Sequence, residues 1–215
     1  VGCLTPWLIV EHGMDPTAAL PLVMAIAALV GLFHGLLVTK LSLQPFVVTL
    51  CGLLLYRGIT RGITNDMQIG FQGGYSELRS LATGSVGVPG MATFELPMPC
   101  LVLAAVAVLA AVFLHHTVPG RYLLALGRNE EAARLSGIRT DRMTILAYII
   151  CSMLAGLGGL LFVFDVGSAQ ASSFGNFYEL YAIAGAVLGG CALRGGEATI
   201  LGVVIGASVM QVLRN

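Results

Sequence analysis

Charge is what this sequence has least of. Asp, Glu, Lys and Arg make up 10% of its 215 residues, where soluble domains carry roughly a quarter. Eleven basic and eleven acidic side chains cancel, so no positive field exists to hold nucleic acid. Lysine is almost missing. A phosphate-binding loop needs G-x-x-x-x-G-K-[ST], and the single lysine, Lys40, sits in G-L-L-V-T-K-L. There Thr39 stands where glycine is required and Leu41 where the hydroxyl is required, so ATP binding by such a loop is excluded. No C-x-x-C pair joins Cys3, Cys51, Cys100, Cys151 and Cys191, which read as small apolar packing residues rather than a disulfide framework or metal ligands. His115-His116 closes an apolar run at a helix end, and no catalytic, metal or cofactor site is expected. The start, V-G-C-L-T-P-W-L-I-V, has neither Met nor a basic n-region. The last apolar run stops at V-L-R-N, so the chain is expected to be a fragment.

What fills the space is hydrocarbon. The apolar residues amount to 57%, and a membrane-crossing helix needs about 20 of them in a row, at 1.5 Å each across about 30 Å. Spans are expected near 17–39, 44–62, 98–116 and 143–165, with an incomplete one at 1–10. Two short Gly-rich runs, 179–193 and 198–213, read as tilted, broken or re-entrant, which lipid tolerates only for segments buried in protein. The fold class expected is all-α, a polytopic transmembrane helix bundle forming one permeation domain over 1–215. Glycines one helical turn apart, Gly31/Gly35, Gly58/Gly62, Gly185/Gly189 and Gly202/Gly206, would let helix backbones approach closely. No internal repeat is visible.

Orientation follows the distribution of Lys and Arg. Residues 117–142 hold Arg121, Arg128, Arg134, Arg139 and Arg142, five of the eleven basic residues, and Lys40 lies two crossings earlier. Those segments are expected in the cytoplasm, which turns 63–97 outward. Arg57 and Arg61, near the outer end of their span, must then snorkel or pack between helices. Within the spans only His34 lies deep, and a lone histidine there is expected to bond a neighbouring helix carbonyl. Asp165 ends one apolar run and Glu179 opens another. With Gln170 they are the candidates for a translocation path or outer mouth, but they make no convincing ion-coupling site.

The polar exception is G-R-N-E-E-A-A-R-L-S-G-I at 127–138. Asn129 can cap a helix, Glu130 and Glu131 suit its positive end, and Gly137 can close it in a left-handed conformation with Ile138 folding back. A helix of about seven residues follows, and Thr140 or Asp141 starts the next one. So short a helix is marginal alone, so something must pack on it. Ala132, Ala133 and Leu135 offer an apolar surface, used either against its own membrane domain or as a peg in a cytoplasmic partner. The residues alone leave both open.

The run G-R-Y-L-L-A-L-G-R-N-E-E-A-A-R-L-S-G-I-R-T-D-R, from Gly120 to Arg142, closely resembles the permease subunits of bacterial ABC importers of the ribose/xylose/galactose type, related to branched-chain amino-acid permeases. The likeness continues in P-F-V-V-T-L-C-G-L-L-L-Y-R-G at 45–58, S-A-Q at 168–170, Y-E-L at 178–180 and A-V-L-G-G at 186–190, and so covers essentially the whole chain. Departures are Tyr181, where such permeases commonly have an acidic residue, and Ala198 in G-G-E-A, where they have glycine. The resemblance implies a coupling helix at Asn129 to Gly137 that docks on a separate cytoplasmic ABC ATPase. Its implied contacts are Asn129, Glu130, Glu131, Ala132, Arg134, Leu135, Ser136 and Gly137. It also implies a periplasmic sugar-binding protein outside, a second permease copy, and a multi-pass place in the inner membrane. A branched-chain amino-acid permease of the same fold and an ion-coupled secondary transporter are the alternatives.

Overall fold

The computed structural model describes residues 1–71, 76–87, 95–193 and 195–214. The parts of the expected 63–97 outer segment at 72–75 and 88–94 lie outside them. The regular elements of the described chain are helices and two pairs of very short strands. Among the described residues four helices are long and apolar enough to cross a membrane: α2 (Pro16–Lys40), α3 (Pro45–Thr64), α5 (Met98–His116) and α8 (Thr140–Val166). Proline opens both α2 and α3, where its missing N–H breaks no helical bond. Asn65, left-handed at φ 49, closes α3.

The chain divides into two compact units. The first holds residues 1–101 and 145–174. It opens with α1 (Leu4–Pro6), which runs on as a π-helical turn over Trp7–Glu11. This piece, where an incomplete span was expected at 1–10, is core: Thr5, Pro6 and Ile9 are fully buried, and Ile9 clusters with Val23, Leu160, Val163 and Phe164. Helix α4 (Ser76–Thr83) adds Leu78 and Ala82 to the same cluster. Gly31 and Gly35 of α2 lie against Ile145, Tyr148, Ile149 and Ser152 of α8, and Ser152 Oγ donates to the Ala27 carbonyl at 2.7 Å. His34 faces α3 across Gly52, with its ring 5.5 Å from that of Tyr56. Its Nδ1 bonds the Val30 carbonyl at 2.9 Å. The carbonyl is one turn back on its own helix, not on a neighbour as expected, while the other ring nitrogen, Nε2, lies over Gly52 of α3.

Beyond α3, β1 (Ile69–Gly70) pairs antiparallel with β4 (Ser168–Ala169), Ile69 opposite Ala169. Between them in sequence, β2 (Ser85–Gly87) pairs antiparallel with β3 (Glu95–Pro97). Of the five cysteines, Cys3 alone is buried; Cys51, Cys100 and Cys151 are exposed and Cys191 half-buried. The expected packing role therefore holds for Cys3 only, since the other helix cysteines point away from their neighbours.

The second unit holds residues 102–144 and 175–215. It contains α6 (Val118–Arg128), α7 (Glu130–Leu135), α9 (Tyr178–Leu188) and α10 (Ile200–Arg214). At 1.5 Å per residue the eleven residues of α9 and fifteen of α10 reach about 16 and 22 Å, short of the hydrocarbon thickness. They pack on each other backbone to backbone. Gly189 abuts Gly202, Gly206 abuts the Gly185 carbonyl, and a Cβ on Gly185 would come 3.1 Å from Ala207 Cα. Gly58 and Gly62 of α3, by contrast, have nothing within 4 Å of a Cβ.

Candidate coupling site

The 117–142 segment is helical almost throughout, where the sequence reading placed one short helix in a loop. Thr117 leaves α5 with its Oγ1 donating to the Phe113 carbonyl at 2.5 Å and accepting from the Gly120 N–H at 3.2 Å. That caps α6, whose first turn carries Pro119. Gly120 lets this turn sit on Phe113 and Leu114, whose backbone a Cβ would overlap. Threonine at the cap with proline two residues on is the signal that could have found α6.

Asn129 then serves two helices. Its extended backbone, φ −159 and ψ 107, stops α6, and its N–H still bonds the Ala125 carbonyl at 3.1 Å. Its carbonyl accepts from Ala133 and its Oδ1 from Ala132, both at 3.0 Å, to open α7. The other end closes as a Schellman motif. Gly137, at φ 82, donates to the Arg134 carbonyl at 3.0 Å, and Ile138 donates to that of Ala133 at 3.1 Å. Ser136 Oγ bonds the Ala132 carbonyl at 2.9 Å. Helix α7 is six residues, one fewer than expected, since Ser136 is already its C-cap. The next helix starts one residue ahead of the expected caps, because Met143 N–H bonds the Arg139 carbonyl.

Exposure sorts the residues of α7 cleanly. Asn129, Glu130, Glu131, Ala132, Arg134, Leu135, Ser136 and Gly137 are all exposed, Leu135 to 85%. Ala133 alone is buried. The expected apolar patch of Ala132, Ala133 and Leu135 is thus split: a six-residue helix has one inner face, and Ala133 occupies it. Between α6 and α7 lies an open cleft of about 420 Å³. Its floor includes Leu124, Ala125, Ala132 and Ile138, with Arg121 and Arg128 on α6. A second contact, also absent from the sequence reading, comes from the α9–α10 turn: Gly195 and Gly196 rest on Gly127 and Arg128.

The other candidates lie elsewhere. Asp165 is exposed one residue before α8 ends. Half-buried Gln170 follows β4 and donates from Nε2 to the Asp66 carbonyl at 3.3 Å, while Gln68 Nε2 donates to Ser168 Oγ at 2.7 Å. Both candidates belong to the first unit. Glu179, exposed in the first turn of α9, belongs to the second. Among the described residues no cluster of three or more His, Cys, Asp or Glu could hold a metal ion.

Residues 1–215 match the family described as branched-chain amino acid transport system / permease component. The chain belongs to that permease family. The permease is 38% identical over 208 residues to the ribose import permease protein RbsC of Escherichia coli strain K12, covering 96% of this chain and 63% of the relative. To the same-named protein of Bacillus subtilis strain 168 it is 34% identical, covering 96% of this chain and 62% of the relative. To the fructose import permease protein FruF of Bifidobacterium longum it is 29% identical, with 95% and 56% covered. The chain therefore spans less than two thirds of the length of these relatives. No solved structure matches the permease.

Proposed function

We propose that this permease is the membrane-spanning part of an ATP-driven importer, resident in the bacterial inner membrane, that passes a monosaccharide delivered by a periplasmic binding protein. The relatives named for ribose and fructose import support the substrate class. The observation that carries the mechanism is α7. It is a helix capped at both ends by its own residues, so it is formed before any partner arrives, and it holds Glu130, Glu131, Arg134 and Leu135 outward. A preformed helix costs little ordering free energy on docking. An ABC ATPase subunit that closes on ATP would push α7. Asn129, shared by both helices, would then pass the push to α6.

Exchanging Glu131 for arginine reverses a charge on the exposed face without touching a cap. In the full-length permease reconstituted with its ATPase and binding protein, Glu131→Arg is expected to leave membrane insertion unchanged. Substrate-stimulated ATP hydrolysis should fall about tenfold, the effect of ~1.4 kcal/mol. Undiminished stimulation would remove α7 from the coupling route. The family description favours a second reading, a branched-chain amino acid as cargo. The cognate binding protein separates the two: thermal stabilisation by ribose or fructose but not by leucine supports a sugar, and the reverse supports an amino acid.

A further inference from the structure

One close contact in the second unit involves no side chain of the turn that makes it. After α9, Gly190 turns the chain at φ 85 and Cys191 donates back to the Ala186 carbonyl at 3.0 Å. Ala192 and Glu197 then close a small loop, N–H to carbonyl at 3.1 Å, and Gly195 donates to Ala192 at 2.9 Å. Inside that loop Gly195 and Gly196 sit consecutively at φ 86 and 82, where a Cβ is strained. Their backbone lies on the last turn of α6. A Cβ on Gly127 would overlap the Gly196 nitrogen and come 3.0 Å from Gly196 Cα; a Cβ on Gly196 would stand 2.7 Å from the Arg128 nitrogen.

We propose that Gly195 and Gly196 form a backbone joint on Gly127 and Arg128 through which displacement of α7 reaches the α9–α10 hairpin. This deepens the coupling reading above and rests on it. Three features of the second unit support it. The first link is stiff: one residue, Asn129, is both the end of α6 and the cap of α7. The second link is the joint, where the backbone of Gly195 and Gly196 meets that of Gly127 and Arg128, with only the Arg128 stem alongside. Close-packed contacts of this kind transmit strain. The third is the hairpin, which Gly185, Gly189, Gly202 and Gly206 lock into one body, so a push at its turn moves both helices. Helix α9 carries Glu179 in its first turn, at the end away from the joint. The path thus joins the candidate ATPase contacts to a candidate path residue within one unit. Gly127, Gly195 and Gly196 are positioning residues, touching neither ATP nor cargo.

The test uses the full-length complex with ATPase and binding protein in nanodiscs, reading three quantities: ATPase retention on the permease, ATP hydrolysis, and cargo transported per ATP. Gly127→Ala jams the joint while leaving every residue of α7 in place. ATPase retention should match the wild type, and cargo moved per ATP should fall about tenfold, within the range that residues between coupled sites produce. Gly158→Ala on α8, with nothing within 4 Å of the new Cβ, should match the wild type in all three. Should Gly127→Ala fail to accumulate in the membrane, two glycines inserted after Ala198 loosen the link without adding an atom at the contact, and the same fall is expected. A wild-type yield of cargo per ATP in the variant that accumulates overturns the joint alone. A wild-type complex that neither retains nor stimulates the ATPase overturns the function reading and the joint together.

Discussion

Asn129 shows how much a single side chain settles. It ends one helix, caps the next, and so sets the angle at which α7 leaves α6. Replacing it with alanine removes the bond to Ala132 N–H, and a lost cap of this type costs about 1 kcal/mol. Because α7 has only six residues, that loss is spent almost wholly on local fraying. The expected outcome for Asn129→Ala is faster hydrogen exchange at Ala132 and Ala133, with exchange in α2 and α8 unchanged; protection that stayed at the wild-type level would deny the cap its role. His34 supplies a second test at this scale. A Cβ at position 52 would meet the His34 ring, whereas one at position 58 meets nothing. Gly52→Ala should lower stability in detergent by about 1–3 kcal/mol, as overpacking does. Gly58→Ala should hold or slightly raise it, since alanine exceeds glycine in helix propensity by about 1 kcal/mol. Equal melting curves for the two variants would contradict the packing described. Asn129 and Gly137 were legible in the sequence because caps follow local rules. The packing of the His34 ring was not, because the glycine it lies against is eighteen positions away on another helix.

Among the elements, those with long apolar runs read directly: α2, α3, α5 and α8 follow from length and composition alone. Helix α6 did not, although Thr117 and Pro119 mark its start, because a run with Arg121 and Arg128 at its two ends looks like loop when only apolar length is counted. The strands could not have been read, since two- and three-residue strands carry no alternation to detect. The glycine pairs were visible, but their use was not: the same spacing serves packing in α2, α9 and α10 and stands open in α3. The α9–α10 hairpin is the place to test that distinction. Val in place of Gly202 would drive its side chain into the Gly189 carbonyl, and neither backbone can yield without parting the helices. Gly202→Val should therefore lower the melting temperature of the detergent-solubilised permease by several degrees, roughly the effect of 1–3 kcal/mol of overpacking. Gly62→Val on α3, where nothing lies within 4 Å, serves as the reference and should melt within about a degree of wild type if only local packing matters. Matching shifts in both would mean that the hairpin contact is not what holds these helices.

At the scale of the whole molecule the question is which exposed apolar surface meets lipid and which meets protein. Leucines and valines stand exposed along α2, α3, α5 and α10, in helices whose apolar character suits a hydrocarbon surround. Leu135 is different. It is 85% exposed at the end of a six-residue helix whose neighbours are Glu130, Glu131 and Arg134, in the segment that gathers five of the eleven basic residues. In the orientation proposed from its arginines this segment faces the cytoplasm, where so exposed a leucine would meet water. Burying it in a partner would contribute about 1.5–3 kcal/mol, or roughly 10- to 150-fold in affinity. Among the described residues Ala133, not Leu135, supplies the inner face of α7. Leu135→Asp is therefore expected to leave expression, insertion and melting of the permease unchanged while weakening its binding to the proposed ATPase subunit by at least about tenfold, measured by titration of nanodisc-held permease. A melting temperature that fell with the substitution would show that Leu135 packs within the permease, and an unchanged affinity would place the ATPase contact off this helix.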